Sequence, residues 1–206
     1  MSASPNGARL LNWAVAGAPM PGYTESGDVH VVAPFDHGVL VAVIDGLGHG
    51  VDAALASKEA ARLLEAHAGE SVIELVQCCH EGLRKTRGAV MSVASFDERD
   101  GIVTWVGVGN VEGILLRAKN VKSADEGIAT RGGVVGYQIP TLRPITLPVA
   151  HGDLLVMATD GIRSGFSGAI DREAAPDTIA SAIFGRYGRG SDDALVLVAR
   201  YTGDRS

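Results

Sequence analysis

The 206-residue sequence predicts an α+β fold in which antiparallel sheet is covered by helices. Three observations lead there. Apolar runs come in pairs joined by short turns rich in glycine and aspartate, the pattern of hairpins. Two helical stretches follow one another directly after one such pair of strands. Two later runs, "DLLVMATDG" and "ALVLVARY", are apolar nearly throughout, as strands are when both of their faces are covered.

The elements follow in order. "LLNWAVAG" (10–17) reads as a strand and "APMPGYTESG" as a loop. "DVHVVAPFDHGVLVAVIDG" reads as two strands turning at "FDHG". From Asp52 to His67, Ala53, Leu55 or Ala56, Ala60, Leu63 and Leu64 recur at helical spacing, and Asp52 sits in the first turn, where a carboxylate favours the helix dipole. A second helix opens at Glu70–Ser71 and runs through "SVIELVQCCHEGLRKTR", with three cations in its last turns. "GAVMSVASFDERDGIVTWVGVG" is a long hairpin around "DERDG", continued by "GILLRA". "PDTIASAIFGRYG" is a helix started by proline and ended by glycine. Trp13 and Trp105 read as core or sheet residues, and Cys78 and Cys79 as helix packing.

The length fits one domain spanning residues 1–206. The net charge of −6, without any basic stripe, argues against nucleic acid as a partner. No apolar run approaches the length of a membrane span, and the first twenty residues lack the layout of a signal peptide. The only two cysteines are adjacent, with neither disulfide nor metal-ligand spacing, and fit a reducing cytoplasm.

Four segments place an acid beside glycine or a second acid at a strand margin: "SGD" (Asp28), "VIDG" (Asp45), "ATDG" (Asp160) and "SDDALV" (Asp192, Asp193). Each alone is an ordinary turn residue. As a set, converging carboxylates repel and are costly to desolvate unless cations neutralise them, and hard divalent ions are the natural partners of oxygen ligands. A nucleotide cradle explains "VIDGLGHG" poorly. Asp45 would stand beside a pyrophosphate, and the glycines run G-x-G-x-G instead of G-x-G-x-x-G.

In order and register, these four segments resemble the PPM (type 2C) metal-dependent serine/threonine phosphatases, in their compact bacterial sporulation and stress-response branch. "DGLGHG", "GVGNVEGILL" and "RGGVVGYQIP" look most like the RsbX-type phosphatases of stressosome pathways. The resemblance implies an antiparallel β-sandwich flanked by helices on both sides, and two Mn²⁺ or Mg²⁺ ions. Asp45 would bridge the ions and the Gly46 carbonyl would bind one of them. Asp160 and Asp192 would ligate from later strands, and Asp28 would do so directly or through water. Asp193 is set aside in favour of Asp192, because alternation along a strand turns only one of the pair into the site.

The substrate implied is phosphoserine or phosphothreonine on STAS-type stressosome proteins in the cytoplasm. Two rivals stay open: an anti-sigma-factor antagonist as substrate outside a stressosome, and a non-catalytic binding module with the same fold. Many relatives carry a histidine directly after Asp-Gly; here that position is Leu47, and His49 follows two residues later. His49 therefore has three readings: a proton donor to the leaving serine, a cap on the next helix, or a residue of the cleft rim. The arginine that binds phosphate in eukaryotic members has no match before Asp28, where Glu25 and Ser26 stand, so phosphate would be held by the metals or by another cation, for which Arg163 is a candidate. Gly109–Asn110 forms a tight turn, with Asn110 a substrate contact by resemblance alone. Arg186 and Arg189 read as a solvated loop or a docking surface.

Overall fold

The computed structural model describes residues 10–118, 124–128 and 130–203. The opening residues 1–9, part of the stretch read above as lacking a signal peptide, lie outside them. In chain order the first half forms β1 (Leu11–Ala18), β2 (Asp28–Phe35), β3 (Gly38–Gly46), α1 (Val51–Ala66), α2 (Val72–Gly82), β4 (Ala89–Asp97) and β5 (Ile102–Val108). The second half forms β6 (Glu112–Leu116), β7 (Glu126–Gly127), β8 (Ile145–Pro148), β9 (Leu154–Ala158), a 3-10 turn at Phe166–Ala169, α3 (Pro176–Tyr187) and β10 (Ala194–Tyr201).

The strands make two five-stranded antiparallel sheets, ordered β1-β10-β9-β6-β7 and β2-β3-β4-β5-β8. Alternation explains why they stack between helices. Along β3, Leu40, Ala42 and Ile44 enter a core shared with α1 and α2, while Val39, Val41 and Val43 enter the core between the sheets. On β10, Leu195, Leu197 and Ala199 face that inter-sheet core, and Val196 and Val198 face α3. The layers are therefore helix, sheet, sheet and helix. Each fully buried Val or Leu contributes about 1.5–3 kcal/mol. The central strands are apolar throughout because neither face meets water.

Two features differ from the sequence reading, the end of α2 and the short strands β7 and β8, while both tryptophans lie on strands as read. The α2 helix ends at Gly82, so Arg84, Lys85 and Arg87 lie beyond it. Leu83 is fully buried, and the Thr86 hydroxyl donates to the Leu83 carbonyl at 2.8 Å while accepting from Gly88 N–H at 3.0 Å, which turns the chain out of the helix. Trp13, on edge strand β1, is 42% exposed and rests on His30, whereas Trp105 is buried and donates to the Ser92 hydroxyl at 2.8 Å. Gly113 makes room for Trp105, since a Cβ there would lie 2.0 Å from the indole. The short β7 and β8 have no counterpart in the sequence reading.

Candidate functional site

The acids gather at one end of the sandwich because strand ends from both sheets meet there. On the helix-covered sheet of α1 and α2, Asp28 opens β2 directly opposite Asp45 near the end of β3. Directly opposed like charges destabilise a sheet. Gly46 closes β3, its N–H bonded to the Gly27 carbonyl at 3.0 Å; a Cβ there would come 2.1 Å from the Ala53 carbonyl oxygen, so only glycine lets α1 approach so closely. From the other sheet, Asp160 follows β9 and Asp192 precedes β10. A cleft of about 250 Å³ is lined by Asp45, Leu47, His49, Asn110, Asp160 and Asp192, together with Gly48 and Val90.

Asp193 points the other way and is nearly buried. Its carboxylate accepts from Met20 N–H at 2.7 Å and Gly27 N–H at 2.8 Å, fastening the β1–β2 loop to β10. Asp192 remains exposed to the cleft, where one oxygen accepts from Asp193 N–H at 2.9 Å. Asp28, also nearly buried, accepts from the Thr159 hydroxyl at 2.7 Å, and that hydroxyl accepts from Leu195 N–H at 2.9 Å. Thr159, immediately before Asp160, escaped the sequence reading. Asp160 accepts from the Asn110 amide at 2.7 Å, and its main-chain carbonyl accepts from Arg189 Nε, also at 2.7 Å. The positive φ of Gly109, 95°, forms the turn that aims Asn110. Among the described residues, no donor reaches the Asp45 carboxylate.

Crowding shows in the protonation equilibria. Burial first, then the Asp45 charge, pushes the Asp28 carboxyl up to about 8, against a lowering by Thr159. Burial, then Asp160, Asp192 and Asp193, pushes Asp45 up to about 7. Asp160 is raised by burial and Asp192, and lowered in part by Arg189 and Asn110. These all-oxygen donors, crowded and undersupplied with positive charge, fit a hard divalent cation. Among the described residues no three acidic, histidine or cysteine side chains close around a single point. That openness suits an ion that keeps several of its waters.

The remaining assignments divide. His49 lines the cleft, its ring 4.8 Å from that of Tyr23. It does not cap α1, whose N-cap is Gly50 with no side-chain hydrogen bond. Arg163 does not line the cleft: its Nη2 donates to the Arg186 carbonyl at 2.6 Å, which ties it to the end of α3. The arginine beside Asp160 is Arg189, read from sequence as part of a loop. The signal lay in its position just before "SDD", at the return into β10.

The layers and strand order are those of the PPM (type 2C) phosphatase fold. A structure of RsbX in complex with magnesium superimposes with a TM-score of 0.83 at 21% identity, covering 93% of this chain and 96% of that one. The PP2C phosphatase domain of SpoIIE from Bacillus subtilis gives 0.75 at 21% identity, over 95% and 64%. A protein solved in the context of the bacterial stressosome, as a modular system adapted to control secondary messenger signaling, gives 0.84 at 31% identity, over 92% and 99%. In sequence, the phosphoserine phosphatase RsbX of Bacillus subtilis (strain 168) is 33% identical over 89 residues. That aligned stretch spans 43% of this chain and 45% of RsbX, less than half of either. Residues 36–202 match the family described as Stage II sporulation protein E (SpoIIE), and the chain belongs to that family. Asp45, Asp160 and Asp192 fall inside the matched region and Asp28 just before it. Among the described residues, no helix is long and apolar enough to cross a membrane.

Proposed function

We propose that this chain is a Mn²⁺- or Mg²⁺-dependent protein serine/threonine phosphatase of the cytoplasm, working as one domain. Its substrate would be a phosphorylated STAS-type stressosome protein, and its role to reset a stress response. The observation that carries this reading is the convergence of Asp45, Asp160 and Asp192 on one cleft, with Asp28 behind Asp45. A pure binding module has no use for such mutual repulsion, which weakens the fold. The family membership and the relatives' names, a phosphoserine phosphatase and a magnesium complex among them, support the same chemistry.

Asp45, Asp160, Asp192 and the Gly46 carbonyl would hold two cations, with Asp28 contributing directly or through water. Bound divalent ions supply an activated water and neutralise phosphoryl oxygens. The protein does the rest. Thr159 and Asn110 fix the rotamers of Asp28 and Asp160. Arg189, held by its Nε on the Asp160 carbonyl just outside the residues that line the cleft, would use the outer nitrogens of its guanidinium to meet phosphate. His49 on the rim is the group available to hand a proton to the leaving serine oxygen.

The test is hydrolysis of p-nitrophenyl phosphate and of a phosphorylated STAS protein with Mn²⁺, with Mg²⁺ and with chelator. Phosphate release only with metal is the expected result. Equal release in chelator would overturn the metal assignment, and no release from either substrate would overturn the phosphatase assignment.

A further inference from the structure

Four of the six large apolar side chains that the described residues expose gather at one rim of the cleft: Tyr23, Leu47, Val51 and Leu55. Leu47 lines the cleft itself. Tyr23 packs against His49 with the two rings tilted by 55°, and lies against Gly50, where a Cβ would come 3.1 Å from its ring. Val51 and Leu55, 62% and 59% exposed, stand one turn apart on α1. The core-facing stripe of that helix is already filled by Ala53, Ala56, Ala60 and Leu64, so these two are surplus to folding. The cations beside them are paired, Arg87 with Asp52 and Lys58 with Glu25, each at 2.8 Å. An approaching partner therefore meets apolar surface and not free positive charge.

We infer that this ridge docks the phosphoprotein substrate, and that the substrate carries apolar side chains beside its phosphoserine. The inference rests on the phosphatase reading. The ridge adjoins the cleft through Leu47, so a body that delivers phosphate towards Asp45 past this rim lies across it. Neutralised neighbours leave apolar contact as the attraction available there.

The experiment uses two phosphoserine peptides of about 12 residues, long enough to reach from cleft to helix. One has leucine and isoleucine flanking the phosphoserine; the other has serine and asparagine there. Hydrolysis with Mn²⁺ is compared with that of p-nitrophenyl phosphate, for the wild type and for V51K/L55K. The wild type is expected to favour the apolar peptide about tenfold in kcat/KM, and the variant to lose that preference while cleaving p-nitrophenyl phosphate normally. No wild-type preference, or an equal loss on all three substrates, overturns the inference. So does a change in oligomeric state by ultracentrifugation in V51K/L55K, which would assign the ridge to a second copy of the chain. Fluorescence anisotropy of both labelled peptides separates the two readings. If nothing is hydrolysed, tighter binding of the apolar peptide that is lost in the variant keeps the ridge and discards the phosphatase. Equal binding discards the ridge.

Discussion

Replacing Asp45 by asparagine should make the metal-free protein more stable while abolishing its turnover. The Asp45 carboxyl rises from 3.8 to about 7 in the fold, through burial and then the charges of Asp160, Asp192 and Asp193. A folded carboxyl that holds its proton more tightly than the unfolded chain favours the fold at low pH. That advantage disappears as the pH climbs from about 4 through about 7. At 1.36 kcal/mol per pH unit, the loss from Asp45 is bounded at about 4 kcal/mol by pH 8. The group is partly exposed, so water and the relaxation of its neighbours recover much of it, and we expect about 1–2 kcal/mol to return in Asp45→Asn. For a chain of this size that is a rise of about 2–8 °C in Tm. Thermal unfolding in chelator at pH 5 and pH 8 measures it directly. The wild type should be weaker at pH 8 than at pH 5, the variant should lose the share of that difference that Asp45 carries while Asp28, raised mainly by burial, keeps the rest, and added Mg²⁺ should rescue only the wild type. Equal stability of the two proteins in chelator at pH 8 would refute the claim that Asp45 is held against repulsion.

Two further outcomes follow from the same end of the sandwich. Arg189→Ala should raise KM for p-nitrophenyl phosphate by about tenfold with a smaller change in kcat, the signature of lost ground-state binding, whereas Arg163→Ala should leave KM unchanged; steady-state kinetics with Mn²⁺ decides. The adjacent acids should separate cleanly in urea denaturation and activity. Asp193→Ala should cost about 3 kcal/mol, since two charged hydrogen bonds to Met20 and Gly27 N–H are lost, while Asp192→Ala should unfold within about 1 kcal/mol of the wild type yet lose metal-dependent hydrolysis.

What the sequence revealed, and what it hid, follows from the range of the interactions. Strand and helix positions were legible because periodicity is local; "GVLVAVIDG" announces its burial with no knowledge of its neighbours. The partition into two sheets was not derivable from those runs. A strand buried on both faces reads the same whether helices or a second sheet cover it, and the sandwich came from the family resemblance. The end of α2 was hidden because "LRKTR" is good helix sequence. Burial of Leu83 and the Thr86 turn outweigh that propensity. The sequence reading set Asp193 apart from Asp192 by strand alternation, yet both residues precede β10, and hydrogen bonding is what turns Asp193 away from the cleft. Alternation could not show that Asp193 serves backbone donors 166 and 173 positions away. The choice between Arg163 and Arg189 depends on how the loop after α3 pairs with residues 160–163, a tertiary relation with no local signal.

The five aspartates differ in how far the protein itself satisfies them, and that gradient is the strongest physical guide to the site. Asp193 is committed to two backbone donors and buried. Asp28 has Thr159, Asp160 has Asn110, and Asp192 has one backbone N–H. Asp45 has no donor among the described residues, although it faces Asp28 across the ladder and shares the cleft with Asp160 and Asp192. A fold selected for stability alone would neutralise this position or move it to solvent. Instead Gly46, the one residue type its junction with Ala53 admits, fixes the end of β3 and holds Asp45 at the mouth of the cleft. The charge is left for something outside the polypeptide to balance. A cation that in turn gathers a phosphoryl group is the ligand whose chemistry matches both the oxygen donors and the surplus of negative charge.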